Sequence, residues 1–322
     1  MDISIFSSYL SKIHTRLILH FNKILFFVRK TFVEDACPTE PVIFIIGAPR
    51  SGSTLLMQVL TDAYDLGYLS NAHCKWYGVA GLIERMTRPL ESKYRSTYTS
   101  TYGITRQKCE PAECGQWWYL FFRRSPAYVT LRDVSEKKLN DFGNELANLQ
   151  RSFGKPLIFK NLYSSLRLEP LSYVLKKAIY IHIERDEIAN AQSILNGRQS
   201  VLGRYDSWWS LPPPNIEELK TLTPAGQILG QIRGITELIY SDVERLGIGD
   251  NVFRVKYESF CEDVHSVLYD FEKFTASRGL KLSRRFEVPR KFSYKTGVSV
   301  PSALYAELEA LTKPSGLAQE KL

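Results

Sequence analysis

The chain has 322 residues, 44% hydrophobic and 24% charged, with a formal net charge of +8. This length can bury one large core, so a single α/β domain with extensions is expected rather than two equal domains. The positive balance points to an anionic ligand or surface. No zinc-ligand spacing, RNP-like aromatic motif or block of five basic residues accompanies it, so nucleic acid is not an expected partner.

At the N-terminus, Phe6, Leu10, Ile13, Leu17, Phe21, Ile24, Val28 and Phe32 recur at steps of three and four, an amphipathic helical pattern. Lys12, Arg16, Lys23, Arg29 and Lys30 interrupt it, so no uncharged run reaches the roughly 18 residues of a membrane span. No small-residue cleavage site follows. Residues 1–33 therefore read as a helical extension with three uses: packing on the domain, peripheral contact with an anionic membrane, or oligomerisation. Residues 34–41, polar and carrying two prolines, read as a linker. The catalytic domain is expected over 42–300, with a C-terminal helix and tail over 301–322.

The run Ile43-Phe44-Ile45-Ile46-Gly47-Ala48-Pro49-Arg50-Ser51-Gly52-Ser53-Thr54 is a strand, a glycine-bracketed turn and a helix start opening on hydroxyls. Such a turn offers backbone N–H groups and a positive helix end to a phosphate. Its spacing is that of a Walker A loop, G-x-x-x-x-G-K-S/T, with Ser53 where the lysine belongs. That lysine reaches the β- and γ-phosphates of a nucleoside triphosphate. Its absence, with Arg50 three positions earlier, argues for a phosphate-bearing donor other than ATP or GTP.

Four β-like runs, 42–46, 156–160, 178–183 and 252–255, alternate with helical patterns. This predicts a P-loop NTPase-like three-layer α/β domain, a central parallel sheet with helices on both faces. Ligands of such sheets bind at the carboxyl ends of the strands, where Gly47 to Thr54, Lys160-Asn161 and Arg185-Asp186 are placed to converge. Residues 61–155, rich in Tyr, Trp and Arg, read as an insertion building the substrate side, with a helix at 135–153. Residues 211–214 (LPPP) read as a rigid turn before a helix at 216–245. Five cysteines without a C-x-x-C pair, and no N-x-S/T sequon, fit a reducing, cytoplasmic setting, with the N-terminal helix leaving peripheral membrane contact open.

Three ordered blocks resemble the sulfotransferases that use 3'-phosphoadenosine-5'-phosphosulfate (PAPS). GAPRSGSTLL at 47–56 is similar to that family's 5'-phosphosulfate loop in its arginine-bearing version, typical of bacterial, carbohydrate and tyrosine sulfotransferases. IYIHIERD at 179–186, with Ser193 eight residues after Arg185, resembles the 3'-phosphate element. FRVKYESF at 253–260 resembles the strand-then-Tyr-Glu block. The family often has Arg-Asp-Pro where this chain has Arg185-Asp186-Glu187. The glycine-rich basic loop of many relatives has no clean counterpart in 290–297, and no residue is assigned there.

The resemblance implies in-line sulfuryl transfer from PAPS to a hydroxyl of a carbohydrate, lipid or small-molecule acceptor, releasing adenosine 3',5'-bisphosphate and requiring no metal. The implied donor site is Arg50, Ser51, Gly52, Ser53, Thr54, Arg185 and Ser193. A forked cation and a hydroxyl suit a 3'-phosphate, whereas an arginine at the strand end repels the magnesium an NTPase needs. A surface ion pair of Arg185 with Asp186 or Glu187 is the purely structural reading. Lys160 resembles a lysine of carbohydrate sulfotransferases that donates to the breaking bond.

A base must take the acceptor proton. His73, after the first helix, and Glu113 compete for that role, although an ungapped count puts Ser70 and Asn71 at the glutamate of tyrosine sulfotransferases. Glu113 beside Trp117-Trp118 looks like a sugar-binding wall. Trp208-Trp209 could line the cleft or fill the core. His182, alternating with Ile181 and Ile183, reads as a hydrogen-bonded core residue. Two other readings stay open: an atypical P-loop kinase or NTPase, with Glu184 as its acid, and a catalytically inactive binding protein.

Overall fold

β1 (Ile43–Ile46), β2 (Ile158–Lys160), β3 (Ile179–Glu184) and β4 (Val252–Lys256) form one parallel sheet in the order β2-β1-β3-β4. The structure is a computed structural model that describes residues 3–31 and 36–313, with side chains of the first helix described from residue 15 onward. Each expected β-run falls on a strand. The expected linker and tail fall partly outside the described residues.

The helices are α1 (Ile3–Lys30), α2 (Ser53–Ala63), α3 (Asn71–Lys75), α4 (Ala80–Glu91), α5 (Gly115–Trp118), α6 (Glu136–Phe153) and α7 (Leu168–Val174). They continue with α8 (Glu187–Leu202), α9 (Ile216–Leu219), α10 (Pro224–Arg245), α11 (Tyr257–Glu262), α12 (Val264–Ser277) and α13 (Ser302–Thr312). The helix expected over 216–245 is two helices. Thr223 caps the N-terminus of α10 through Gly226 N–H, and Pro224 occupies its first turn, so the chain restarts there.

Two-residue alternation along the strands splits the core into two layers. Phe44, Ile46, Phe159 and Tyr180 face one way, onto Trp117, Trp118, Phe142, Leu146, Ile235 and Ile239 of α5, α6 and α10. Ile43, Ile45, Ile158, Ile181 and Val255 face the other, onto Leu56, Val59 and Leu60 of α2 and Leu268 and Phe271 of α12. Helices on both faces bury β1, β2 and nearly all of β3, as their near-continuous apolar residues require, while edge strand β4 exposes Arg254 and Lys256. A third cluster joins α8, α10 and Leu308 of α13, so this C-terminal helix is part of the domain's packing.

This topology positions the site. The chain leaves β1 for β2 on one side and returns to β3 on the other, which makes the carboxyl end of β1 a topological switch point. Registers Ile45↔Lys160 and Ile46↔His182 bring Lys160 and the end of β3 alongside the loop that starts at Gly47.

Candidate functional site

The phosphate-type loop is shaped by its two glycines. At Gly47 (φ 151°) a Cβ would lie 2.4 Å from the Ile183 carbonyl oxygen. At Gly52 (φ 95°) it would lie 2.1 Å from the Tyr257 ring, so only glycine passes. Ser165 braces the loop: its hydroxyl accepts from Gly47 N–H at 3.0 Å and donates to Gly47 C=O at 3.1 Å. Arg50 adopts the left-handed region (φ 65°), unusual for a residue with a side chain. No side chain caps α2, so its first-turn N–H groups open into the cavity that Gly52, Ser53, Thr54 and Leu55 line. The Ser51 hydroxyl is buried without a partner beside a neighbouring cavity that Ala48, Glu184 and Asn190 also line.

Two adjoining cavities, about 510 and 610 Å³, meet at Arg50, Tyr102, Arg185 and Tyr257. The first is lined by the loop, Lys160, Glu113, Asn71, Cys74, Ile104, Leu162 and Trp209. The second is lined by Ser193, Gln192, Asn196 and Ser200 of α8 and by Ser293, Tyr294, Lys295 and Ser299. Six of the seven residues expected to hold the donor line these two cavities, where Arg50 Nε donates to Ser193 Oγ at 3.2 Å; Ser51 lines the neighbouring cavity against α10 instead.

The charges in this region are unbalanced. Arg185 donates to the Arg50 carbonyl at 3.2 Å and lies over the Tyr257 ring at 4.8 Å, while its Nε is buried without a partner. Among the described residues no carboxylate pairs with Arg50 or Arg185. The acids that a surface ion pair would use are engaged elsewhere: Asp186 caps α8 through Ala189 N–H, and Glu187 pairs with Arg233. Burial, then the like charge of Arg185, push the Arg50 guanidinium below its ordinary pKa, with Tyr102 and Tyr257 opposing. Two arginines without a carboxylate partner beside an uncapped helix start make a strong anion site.

Lys160, at the end of β2 and 6% exposed, forms an ion pair with Glu113. Glu113 precedes the left-handed Cys114 (φ 48°), and its carbonyl accepts from Asn161 at 3.1 Å. Glu113 is the only carboxylate among the described residues lining the first cavity, against three cations.

His73 is placed differently from expectation. It is fully buried; its Nδ1 accepts from Ser70 N–H at 3.1 Å and meets Ser70 Oγ at 2.7 Å. Its Nε2 lies 3.7 Å from Glu84, and Glu91 is 3.8 Å from Nδ1. Burial drives its pKa down to about 4, so the ring is neutral. His73 is thus a helix-capping residue behind the cavity wall and not an available base; its neighbours Asn71 and Cys74 are the ones that reach the cavity. Among the described residues, His73, Glu84 and Glu91 also form the one grouping with metal-ligand chemistry, apart from the phosphate-type loop.

Trp117 and Trp118 are fully buried and pack on Phe159, Phe142 and Phe44, so they are core and no sugar wall. The short α5 turns both rings inward while Glu113, just before it, faces the cavity. Of the other tryptophan pair, Trp209 lines the cavity and Trp208 lies against Arg198. His182 is buried and edge-on to Tyr240, but its Nε2 has no hydrogen-bond partner. Glu184 accepts from the Tyr240 hydroxyl at 3.0 Å and lines a separate cavity against α10, away from Ser53 and Thr54.

Three lining elements escaped sequence reasoning. Tyr257, within a recognised block, had a role assigned to no atom, and only its stack on Arg185 reveals one. Tyr102, left-handed (φ 50°) with Arg50 over its ring at 5.4 Å, lies in an insertion without a motif. Residues 293–299 overlap the basic stretch 290–297 and reach the second cavity, with Ser299 N–H donating to the Gln192 side chain of α8 at 2.7 Å.

The fold resembles that of a solved sulfotransferase. The sulfotransferase STF9 from Mycobacterium avium superposes with a TM-score of 0.51 at 16% identity, over 74% of this chain and 64% of that one. STF1 from Mycobacterium tuberculosis H37Rv gives 0.47 at 14%, over 83% and 74%. The sulfotransferase domain of the Synechococcus PCC 7002 olefin synthase gives 0.39 at 19%, over 78% and 77%. The chain thus spans somewhat under two thirds of the length of the first of these structures. No curated protein sequence matches it. The sequence profile described as "Sulfotransferase family" matches residues 41–274, well over half of the chain, and the chain belongs to that family.

Proposed function

We propose that this protein transfers the sulfuryl group of PAPS to a hydroxyl of a carbohydrate, lipid or small-molecule acceptor. The observation that carries this reading is the pair Arg50 and Arg185, half-buried together without a carboxylate partner between an uncapped helix start and two joined cavities. A donor with phosphate at one end and phosphosulfate at the other supplies the missing negative charge in both.

In this reading the second cavity, with Arg185, Ser193 and Lys295, holds the 3'-phosphate end. The loop N–H groups, Ser53, Thr54 and Arg50 hold the phosphosulfate end, where charge develops on the leaving phosphate oxygen. Preoriented donors at such a position are the largest single source of rate in many transfer enzymes. Lys160 stands on the same side and can donate to that oxygen. Glu113 accepts the acceptor hydroxyl's proton, since no other carboxylate and no histidine among the described residues lines the first cavity. One sulfur–oxygen bond forms to the acceptor as the one to the phosphate breaks, and the proton ends on Glu113. Tyr102, Trp209, Ile104 and Leu162 supply the apolar wall that receives the acceptor.

The test is thermal denaturation with adenosine 3',5'-bisphosphate in EDTA, followed by transfer from labelled PAPS to a panel of hydroxylated acceptors. Stabilisation by the bisphosphate without metal is expected. Stabilisation by magnesium-ATP alone would replace this reading with that of a kinase or NTPase.

A further inference from the structure

Two helices outside the catalytic cavities carry a disproportionate share of the exposed apolar surface. Of the 17 large hydrophobic side chains exposed among the described residues, eight lie on α1 and α4. On α1, Leu17, Phe21, Ile24 and Val28 repeat at four, three and four residues, which aligns them along one side of the helix, with Phe27 beside them. They are 49–64% exposed. On α4, Leu82, Met86 and Leu90 repeat every four residues and are 52–69% exposed.

The inner face of α1 is already used. Phe26 is buried against Phe121, and the Asn22 side chain donates to Lys75 C=O at 3.1 Å and accepts from Gly78 N–H at 2.9 Å. Arg29 and Lys30 pair with Glu145 and Asp141 of α6. One α-helical step further along α6, Gly81 of α4 lies against Asn148 and Ser152, and Arg88 donates to Ser152 C=O. Both helices are therefore tied to α6, with their apolar stripes exposed apart from Phe21, which packs against Trp76.

Charge decides what such a face meets. α1 contains no aspartate or glutamate along its 28 residues, and Arg16 and Lys23 are exposed on it. α4 has two acids, Glu84 and Glu91, and both are buried inward around His73. Outward it shows Arg85 and Arg88, the latter shared with Glu84, with Lys93 just beyond its end and Lys75 just before it. The exposed charge accompanying the apolar stripes is thus positive throughout. A second copy of this chain would bring those cations against themselves, since an isologous contact pairs each patch with its own kind. An anionic bilayer offers the opposite sign together with acyl chains for the apolar side chains. No helix among the described residues is long and apolar enough to cross a membrane, so a helix of this kind lies in the plane of the surface.

We propose that the α1–α4 face docks this protein on an anionic phospholipid surface. The same face borders the catalytic cavity through α3: Asn71 and Cys74 line the cavity, while Trp76, which caps α3, packs edge-on to Phe21 of α1 at 6.3 Å. The proposal does not depend on the identity of the sulfuryl acceptor.

The test is flotation of the full chain with vesicles of phosphatidylcholine alone or mixed three to one with phosphatidylglycerol. Binding to the anionic vesicles is expected to exceed that to neutral ones by at least about tenfold and to weaken in high salt. The double variant Leu17→Asp/Ile24→Asp and the single variant Met86→Glu change side chains that are more than half exposed. Each is expected to lose most of the binding while keeping the wild-type melting temperature and its shift with adenosine 3',5'-bisphosphate. The proposal is overturned if wild type stays with the unbound fraction, if the charged variants float as well as wild type, or if light scattering shows a dimer that Leu17→Asp/Ile24→Asp converts to monomer. A missing bisphosphate shift in wild type overturns the proposed reaction instead and leaves vesicle binding to be judged separately.

Discussion

Arg185→Met separates an anion site from a structural arginine. Methionine keeps an extended, polarisable chain against Tyr257 but removes the charge. In the ligand-free protein it deletes the 3.2 Å bond to the Arg50 carbonyl and the stack at 4.8 Å. It also removes a buried Nε with no partner and the like charge that pushes Arg50 down. A hydrogen bond involving a charged group contributes about 1.5–3 kcal/mol, and an unsatisfied buried donor costs about 1–3 kcal/mol. The two ranges overlap and leave a net of at most about 2 kcal/mol, so at roughly 2 °C per kcal/mol the ligand-free melting temperature should move by no more than about 4 °C.

Binding is another matter. Losing one charge-assisted contact of about 1.5–3 kcal/mol weakens affinity roughly 10- to 150-fold, at about 1.4 kcal/mol per tenfold. With adenosine 3',5'-bisphosphate at about 100 times its wild-type Kd, linkage stabilises the wild type by about 2.7 kcal/mol and the variant by only roughly 0.3–1.4 kcal/mol. At roughly 2 °C per kcal/mol, a shift of about 5 °C should fall to about 1–3 °C. The assay is differential scanning fluorimetry in EDTA, with isothermal titration for Kd. A variant that keeps the full shift refutes the anion-site reasoning. A ligand-free loss beyond about 5 °C would instead identify Arg185 as a structural strut.

Three further outcomes are expected. Lys160→Ala should lower kcat by about 10²–10³ and Glu113→Gln by about 10²–10⁴; unchanged turnover in both would move the chemistry elsewhere. Trp117→Ala should destabilise by about 3–5 kcal/mol through the cavity left between Phe159 and Phe142, and bisphosphate affinity measured on the folded fraction should hold; a selective loss of acceptor binding would restore the ring to the site. Burial, followed by the neighbouring Glu84, pushes Glu91 up to about 7. The folded state therefore holds its proton more tightly than the unfolded chain, and this group's contribution to stability falls as pH rises from about 4.5 through 7. Glu91→Gln should gain melting temperature over wild type at pH 8 relative to pH 5, and a pH-independent difference would contradict the assignment.

What the sequence by itself determined was local. An apolar run, Gly47, Gly52 and a hydroxyl-rich helix start specify a phosphate loop because backbone conformation there depends on residues a few positions apart. The four strands were legible for the same reason, and so was the convergence of Lys160 and Arg185, since parallel strands put their carboxyl ends on one edge. Tertiary structure decided which side of each short element faces the cavity. Along the five residues of α3, Asn71 and Cys74 turn toward the cavity and His73 toward Glu84 and Glu91, a rotation no neighbouring residue dictates. The same holds for Glu113 against Trp117 and Trp118 on either side of a left-handed Cys114. It holds again for α1, whose apolar period announced an amphipathic helix but not that Phe26 and Asn22 would be buried while Leu17, Ile24 and Val28 stayed in water. Burial is a property of what packs against a side chain, and those partners lie tens to more than a hundred residues away.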